Sequence, residues 1–144
     1  LISLADKNKT VILPYLKTLH QMGYRFMATQ GSYQFIKNQG LPCEKVTKIA
    51  DDSGLSILEA LKDSKLKMVL NTPMNPKSSK SDGEEIRNTA IAYGIPCFTR
   101  PENIIAIIES LIGSKGIELT PISLQEKFSA SQIGNSQINE GIHQ

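Results

Sequence analysis

The feature that most constrains the fold is an alternation of short apolar runs with longer stretches whose apolar residues recur at helical spacing. The apolar runs predict strands over 1–4, 24–28, 43–46, 67–70 and 96–99, and the longer stretches predict helices over 9–22, 32–38, 55–62, 83–93 and 101–112. Strands that alternate with helices form βαβ units, in which helices cover both faces of a parallel sheet. We therefore expect a single-domain, three-layer α/β/α fold built on a parallel sheet of about five strands.

The end of the chain differs in composition from the rest. After Phe128 the residues are mostly Ser, Gln, Asn, Gly and Ile, with almost no charge. Such a segment buries too little apolar surface to fold, so we expect a folded domain over 1–127 and a disordered tail over 128–144. At the other end, a strand begins at Leu1 with no preceding methionine, and we expect the chain to be a piece of a longer protein.

Charge and hydropathy exclude several classes of partner. The chain has 16 basic and 14 acidic residues, a net charge of +2, and no basic stripe, so no nucleic acid is expected. No apolar run approaches the roughly 20 residues that cross a bilayer. No leader peptide opens the chain either, and we expect a cytoplasmic protein without a membrane partner. Cys43 and Cys97 lack C-x-x-C spacing and are expected to be reduced, buried thiols.

Polar residues follow the predicted strands at the end where ligands bind in open parallel sheets. Thr29, Gly31 and Ser32 lie between the second strand and the second helix. The free N–H groups and the dipole of a helix start favour an anion there, and a start capped by its own hydroxyls is the alternative. Lys9 follows the first strand and Lys48 the third, where each is either a further anion ligand or a solvated lysine.

Two further groups stand near the fourth strand. Asn71 and Thr72 end it, and they need either a ligand or a closed turn as partner. Arg87 lies in the next helix and by itself indicates only a surface arginine. The chain shows no metal-ligand cluster, no nucleophile–base pair and no Walker-type loop, and His20 and His143 lie far from any strand end. We therefore expect no catalytic residues and no metal.

The order of these residues resembles the methylglyoxal-synthase-like superfamily, and within it the C-terminal regulatory domain of the carbamoyl-phosphate synthetase large chain. The resemblance covers about residues 1–127. Its motifs are Ser3…Lys9, Ala28-Thr29-x-Gly31-Ser32, Val46-x-Lys48, Val69-Leu70-Asn71-Thr72-Pro73, Asp82…Ile86-Arg87-x-Thr89-Ala90, Ile95-Pro96…Thr99 and the closing Ile122-Ser123-Leu124-Gln125-Glu126.

The resemblance implies a methylglyoxal-synthase-like fold of the Rossmann or flavodoxin type and an allosteric domain that needs no cofactor and catalyses nothing itself. The implied parent is an ATP-dependent ligase that uses Mg²⁺ or Mn²⁺ and K⁺ and makes carbamoyl phosphate for pyrimidine and arginine biosynthesis. Its implied partners are a small-molecule effector, the rest of the large chain and a glutamine amidotransferase small chain. The effector would be UMP, IMP, ornithine or a related anion.

The resemblance also assigns residues to these ligands. It implies a phosphate and effector site made by Lys9, Thr29, Gly31, Ser32, Lys48, Asn71, Thr72 and Arg87. Thr99 matches a position linked to ornithine. Pro73 replaces a hydroxyl residue of the nucleotide-binding members and is typical of the acetylglutamate-sensing branch, which leaves the effector open.

Two alternatives belong to other classes of protein. A free-standing methylglyoxal synthase would need a carboxylate and a histidine at positions that align near Gly54 and Ser79. Asp52 is close to the first position, but no histidine is near the second. A docking or oligomerisation module would bind no ligand at all.

Overall fold

The predicted alternation of strands and helices is present throughout the computed structural model, which describes residues 1–47, 55–63, 65–74 and 82–115. The elements are β1 (Ile2–Ser3), α1 (Asp6–Gln21), β2 (Met27–Ala28), α2 (Gln30–Asn38), β3 (Glu44–Lys45), α3 (Ile57–Lys62), β4 (Val69–Asn71), α4 (Asp82–Ala92), β5 (Cys97–Phe98) and α5 (Pro101–Gly113). The largest difference from the predicted helix starts is at α1, which begins at Asp6 rather than at Lys9.

All five strands form one parallel sheet in the order β3-β2-β1-β4-β5. Ile2 in the central strand pairs with Ala28 on one side and with Leu70 on the other. This strand order is that of the Rossmann fold and not of flavodoxin. The predicted fold class is therefore confirmed, and of the two predicted fold types the chain has the Rossmann type.

Two apolar cores, one on each face of the sheet, give the three layers. Successive residues of a strand point to opposite faces. Ile2 and Leu70 therefore pack with residues of α1, α2 and α5, whereas Leu1 and Val69 pack with residues of α3 and α4. This double burial explains why β4 has a continuously apolar run rather than an alternating one.

Glycines follow the ends of α1 and α2. Gly23 after α1 and Gly40 after α2 have φ of 93° and 75°, a left-handed conformation that glycine adopts without steric cost. None of the described helices is long and apolar enough to cross a membrane.

The described fold belongs to a unit that spans Leu1–Ile112. A second unit spans Gly113–Gln144, and only its residues 113–115 are described. The predicted domain end at 127 and the predicted tail over 128–144 lie outside the described residues and stay predictions.

Candidate functional site

A cleft of about 600 Å³ opens at the carboxyl ends of β1, β2, β3 and β4. It includes the switch point of the sheet, where β1 and β4 are neighbours and the helices that follow them cover opposite faces. We call it the strand-end cleft. Six residues predicted from sequence line it, namely Lys9, Thr29, Gly31, Ser32, Asn71 and Thr72.

Two buried hydroxyls fix the loop between β1 and α1. The Ser32 Oγ accepts a hydrogen bond from the Leu4 N–H at 2.8 Å, and the Thr72 Oγ1 accepts one from the Ala5 N–H, also at 2.8 Å. These bonds tie the loop to the start of α2 on one side and to the end of β4 on the other. Among the described residues neither hydroxyl donates a hydrogen bond, so each can still donate its proton.

The first turn of α2 is not capped by the side chain that precedes it. Its N-cap residue, Thr29, makes no side-chain bond to the turn, and its Oγ1 donates instead to the Ser3 Oγ at 3.1 Å. The turn contains no acidic residue. In α3, by contrast, Ser56 and Glu59 form a complete capping box, which satisfies the helix start internally. The capped-start alternative, in which Thr29 satisfies the α2 turn, is therefore wrong for this helix.

Lys9 is a buried cation with two partners. Its side chain is 11% exposed, and its Nζ lies 2.6 Å from Asp6 Oδ1 and 2.9 Å from the Gly31 carbonyl oxygen. The Nζ also lies 6.0 Å from the centre of the Phe35 ring. The solvated-lysine alternative is therefore wrong for Lys9. The unfavourable position of a cation in a first helical turn is offset by the Asp6 carboxylate in the same turn.

Asn71 is held between the sheet and α4. Its Nδ2 donates to the Gly83 carbonyl oxygen at 3.1 Å, and its Oδ1 accepts from Arg87 Nη1 at 3.5 Å. A Cβ on Gly83 would lie only 3.2 Å from that Nη1 and 3.4 Å from the Asn71 Oδ1, so glycine leaves room for the cluster. Arg87 supports Asn71 from α4 and is not among the described lining residues of the cleft.

Two predicted site residues are not placed in the cleft. Lys48 lies outside the described residues. Thr99 follows the edge strand β5 and does not line the cleft.

Two charged lining residues were missed, Asp6 and Lys45. The spacing of three between Asp6 and Lys9 would have indicated the ion pair if the helix start had been predicted correctly. Lys45 lies within β3 rather than after it, so the rule that ligand-binding residues follow the strand ends did not predict it.

A larger cavity of about 980 Å³ lies at the amino ends of the strands. We call it the strand-start cavity; its charged and titratable lining includes His20, Arg25, Lys65 and Lys67. None of the residues predicted to bind an effector lines it. The C-terminal end of α1, which is the negative end of the helix dipole, borders this cavity. That negative end disfavours an anion in the part of the cavity next to α1.

Among the described residues, the titratable groups with shifted pKa values lie outside the cleft. Burial raises the pKa of the Cys43 thiol to about 11. Burial also raises the pKa of Cys97, against the opposing charge of Arg87. Both thiols are free, as expected, but they are half-buried rather than buried, because they lie at or next to the two edge strands. Among the described residues no group of three or more metal-ligating side chains occurs.

The sequence of the chain is similar to a known protein family and to individual proteins. Residues 11–99 match the family described as the MGS-like domain. The carbamoyl phosphate synthase large chain of Mycobacterium sp. (strain JLS) is 30% identical over 139 residues, which is 93% of this chain and 12% of the relative.

Two archaeal relatives are C-terminal sections of the carbamoyl phosphate synthase large chain. The section from Methanocaldococcus jannaschii is 34% identical over 125 residues, or 87% of this chain and 20% of the relative. The section from Methanopyrus kandleri is 30% identical over 118 residues, or 81% of this chain and 22% of the relative. The chain thus spans less than a quarter of each of these relatives.

Proposed function

The chain belongs to the MGS-like domain family, and from this premise we propose that it binds a phosphorylated small-molecule effector in the strand-end cleft. The observation that carries the proposal is the meeting of an uncapped helix start, a buried lysine and proton-donating hydroxyls around one cavity. The effector would regulate a carbamoyl phosphate synthase large chain of which this domain is a part. The names of the relatives support that choice of parent.

The charges of the cleft favour an anion. The start of α2 contributes the positive end of a helix dipole, and Lys9 and Lys45 contribute two ammonium groups. Ser32 and Thr72 can donate from the opposite walls. Each charge-assisted hydrogen bond contributes about 1.5–3 kcal/mol, and desolvation and ordering offset much of the sum. A net affinity between micromolar and millimolar, about −8 to −4 kcal/mol, is the expected range.

The described lining supports binding rather than catalysis. It contains no histidine and no cysteine, and its one carboxylate, that of Asp6, is paired with Lys9. Proton abstraction of the methylglyoxal synthase kind needs a free carboxylate and an acid. The positions that would align with those groups, near Gly54 and Ser79, lie outside the described residues. An assay for methylglyoxal from dihydroxyacetone phosphate tests the alternative directly, and we expect no product.

The whole protein is proposed to be a cytoplasmic, ATP-dependent ligase that uses Mg²⁺ or Mn²⁺ and K⁺. It would work with a glutamine amidotransferase small chain in pyrimidine and arginine biosynthesis. UMP and IMP are the proposed phosphate-bearing effectors, and ornithine, through Thr99, is a proposed second one. Regulation requires that an effector bind one conformation of the parent more tightly than another, with a coupling of roughly 1–3 kcal/mol.

The test is thermal unfolding of the chain with UMP, IMP, ornithine, N-acetylglutamate and inorganic phosphate. A ligand at tenfold its Kd stabilises the folded state by about 1.4 kcal/mol. We expect a phosphate-bearing ligand to raise the Tm of the wild type, to lose that effect in Lys9→Met and to keep it in Lys17→Met. Lys17 is the matched control, since it is an exposed lysine of the same helix. If no ligand shifts the Tm, the effector proposal is refuted and the docking module is favoured.

A further inference from the structure

We propose that Asp6 is an internal competitor for the effector, occupying the ammonium group of Lys9 until an incoming phosphate displaces it. This inference rests on the proposed function, because it concerns the same cleft. It assigns to Asp6 the role of setting the affinity of the site for anions.

The geometry of the ion pair supports a displacement. Asp6 Oδ1 lies 2.6 Å from Lys9 Nζ, which is the distance of a direct charge-assisted bond. The two side chains differ in their exposure to solvent, which is 11% for Lys9 and 84% for Asp6. The Gly31 carbonyl oxygen holds the lysine at 2.9 Å, whereas the Lys9 bond is the only described side-chain contact of the carboxylate. A ligand can therefore displace the acid into water and leave the lysine in place.

The position of the pair makes the competition direct. The carbonyl that holds Lys9 belongs to Gly31, in the first turn of α2. A phosphate bound at that turn would lie within reach of the same ammonium group and beside the Asp6 carboxylate. Two negative groups at one ammonium repel each other, so binding requires that Asp6 move away. The carboxylate also keeps the buried cation paired while the cleft is empty.

A structural role for Asp6 predicts the opposite result. An acid in a first turn stabilises the helix through its dipole, and it can also orient a neighbouring lysine for a ligand. In either case, removing the charge would leave the affinity for phosphate unchanged or weaken it. The direction of the change therefore separates a competitor from a supporting residue.

The experiment is calorimetric titration of inorganic phosphate and of UMP into the wild type, Asp6→Asn and Glu102→Gln. Glu102 is the matched control, because it is an exposed acid in the first turn of α5 that pairs with Arg100 at 3.6 Å. An exposed ion pair corresponds to at most about a fivefold factor in an equilibrium constant. We expect Asp6→Asn to tighten binding of both ligands by about fivefold and Glu102→Gln to leave it unchanged. Asp6→Glu, which retains a carboxylate, should bind close to the wild type.

The outcomes distinguish this inference from the proposed function. Binding to the wild type that is unchanged or weaker in Asp6→Asn overturns the competitor role and leaves the effector site standing. Binding detected only in Asp6→Asn supports the competitor role. If neither protein binds phosphate or UMP, the proposed function fails and this inference fails with it.

Discussion

The hydrogen bond between Thr72 and Ala5 gives the sharpest prediction about stability. Both residues are buried, Thr72 at 3% and Ala5 at 3% exposure, and the bond joins the end of β4 to the loop before α1. Thr72→Val keeps the shape of the side chain but removes the acceptor, which leaves the Ala5 N–H buried without a partner. The cost of such an orphaned group is about 1–3 kcal/mol. Since no cavity is created, the whole change should come from that group.

The assay is urea unfolding at 25 °C, followed by far-ultraviolet circular dichroism. We expect the free energy of unfolding of Thr72→Val to fall by about 2 kcal/mol, with an unchanged dependence on urea. Thr18→Val is the matched control, because its hydroxyl donates to the Pro14 carbonyl oxygen at the surface, at 3.1 Å. That change should stay within about 0.5 kcal/mol. Equal effects of the two substitutions would refute the role assigned to the Thr72 hydroxyl.

Four further predictions concern other residues. Ser56→Ala should lower the free energy of unfolding by about 1 kcal/mol in urea, because it removes the capping box of α3. The same bonds lower the pKa of Glu59, so its contribution to stability is present above its ordinary pKa and is lost as the pH falls through the lowered pKa. Glu59→Gln should therefore make the free energy of unfolding depend less on pH in the acid range. Lys45→Met should weaken phosphate binding and reduce its salt dependence in calorimetry. Cys43, whose pKa burial raises to about 11, should react with iodoacetamide more slowly in the folded than in the unfolded chain at pH 7.5, because less of it is thiolate.

Helices and strands could be distinguished in the sequence because their apolar residues recur at different spacings, and because glycines follow some of the helix ends. Gly23 and Gly40 stand just after the predicted ends of α1 and α2, and both take the left-handed conformation there. The start of α1 carried no such mark, because its N-cap is Ala5, which has no capping side chain. The helix was therefore predicted to begin three residues too late, and the carboxylate of Asp6 was left out of the candidate site.

The grouping of the site residues could be predicted from topology, but their partners could not. Parallel strands carry their following residues to one edge, which is why Thr29 and Asn71 line the same cleft. Whether a strand-end lysine is solvated or buried depends on the packing between α1 and α2. The spacing of apolar residues in the sequence does not show this. Lys9 is buried for this reason, whereas Lys45 is exposed on an edge strand and was not considered.

The central claim is that a phosphate-bearing effector binds in the strand-end cleft. Its most direct test is a titration of the ¹⁵N-labelled chain with UMP, followed by the amide shifts in proton–nitrogen correlation spectra. The account predicts saturable shifts that are largest at the starts of α1 and α2, over Asp6–Lys9 and Gln30–Ser32. Shifts concentrated instead around the strand-start cavity, at residues such as Arg25 and Lys67, would contradict it, and so would the absence of any saturable shift.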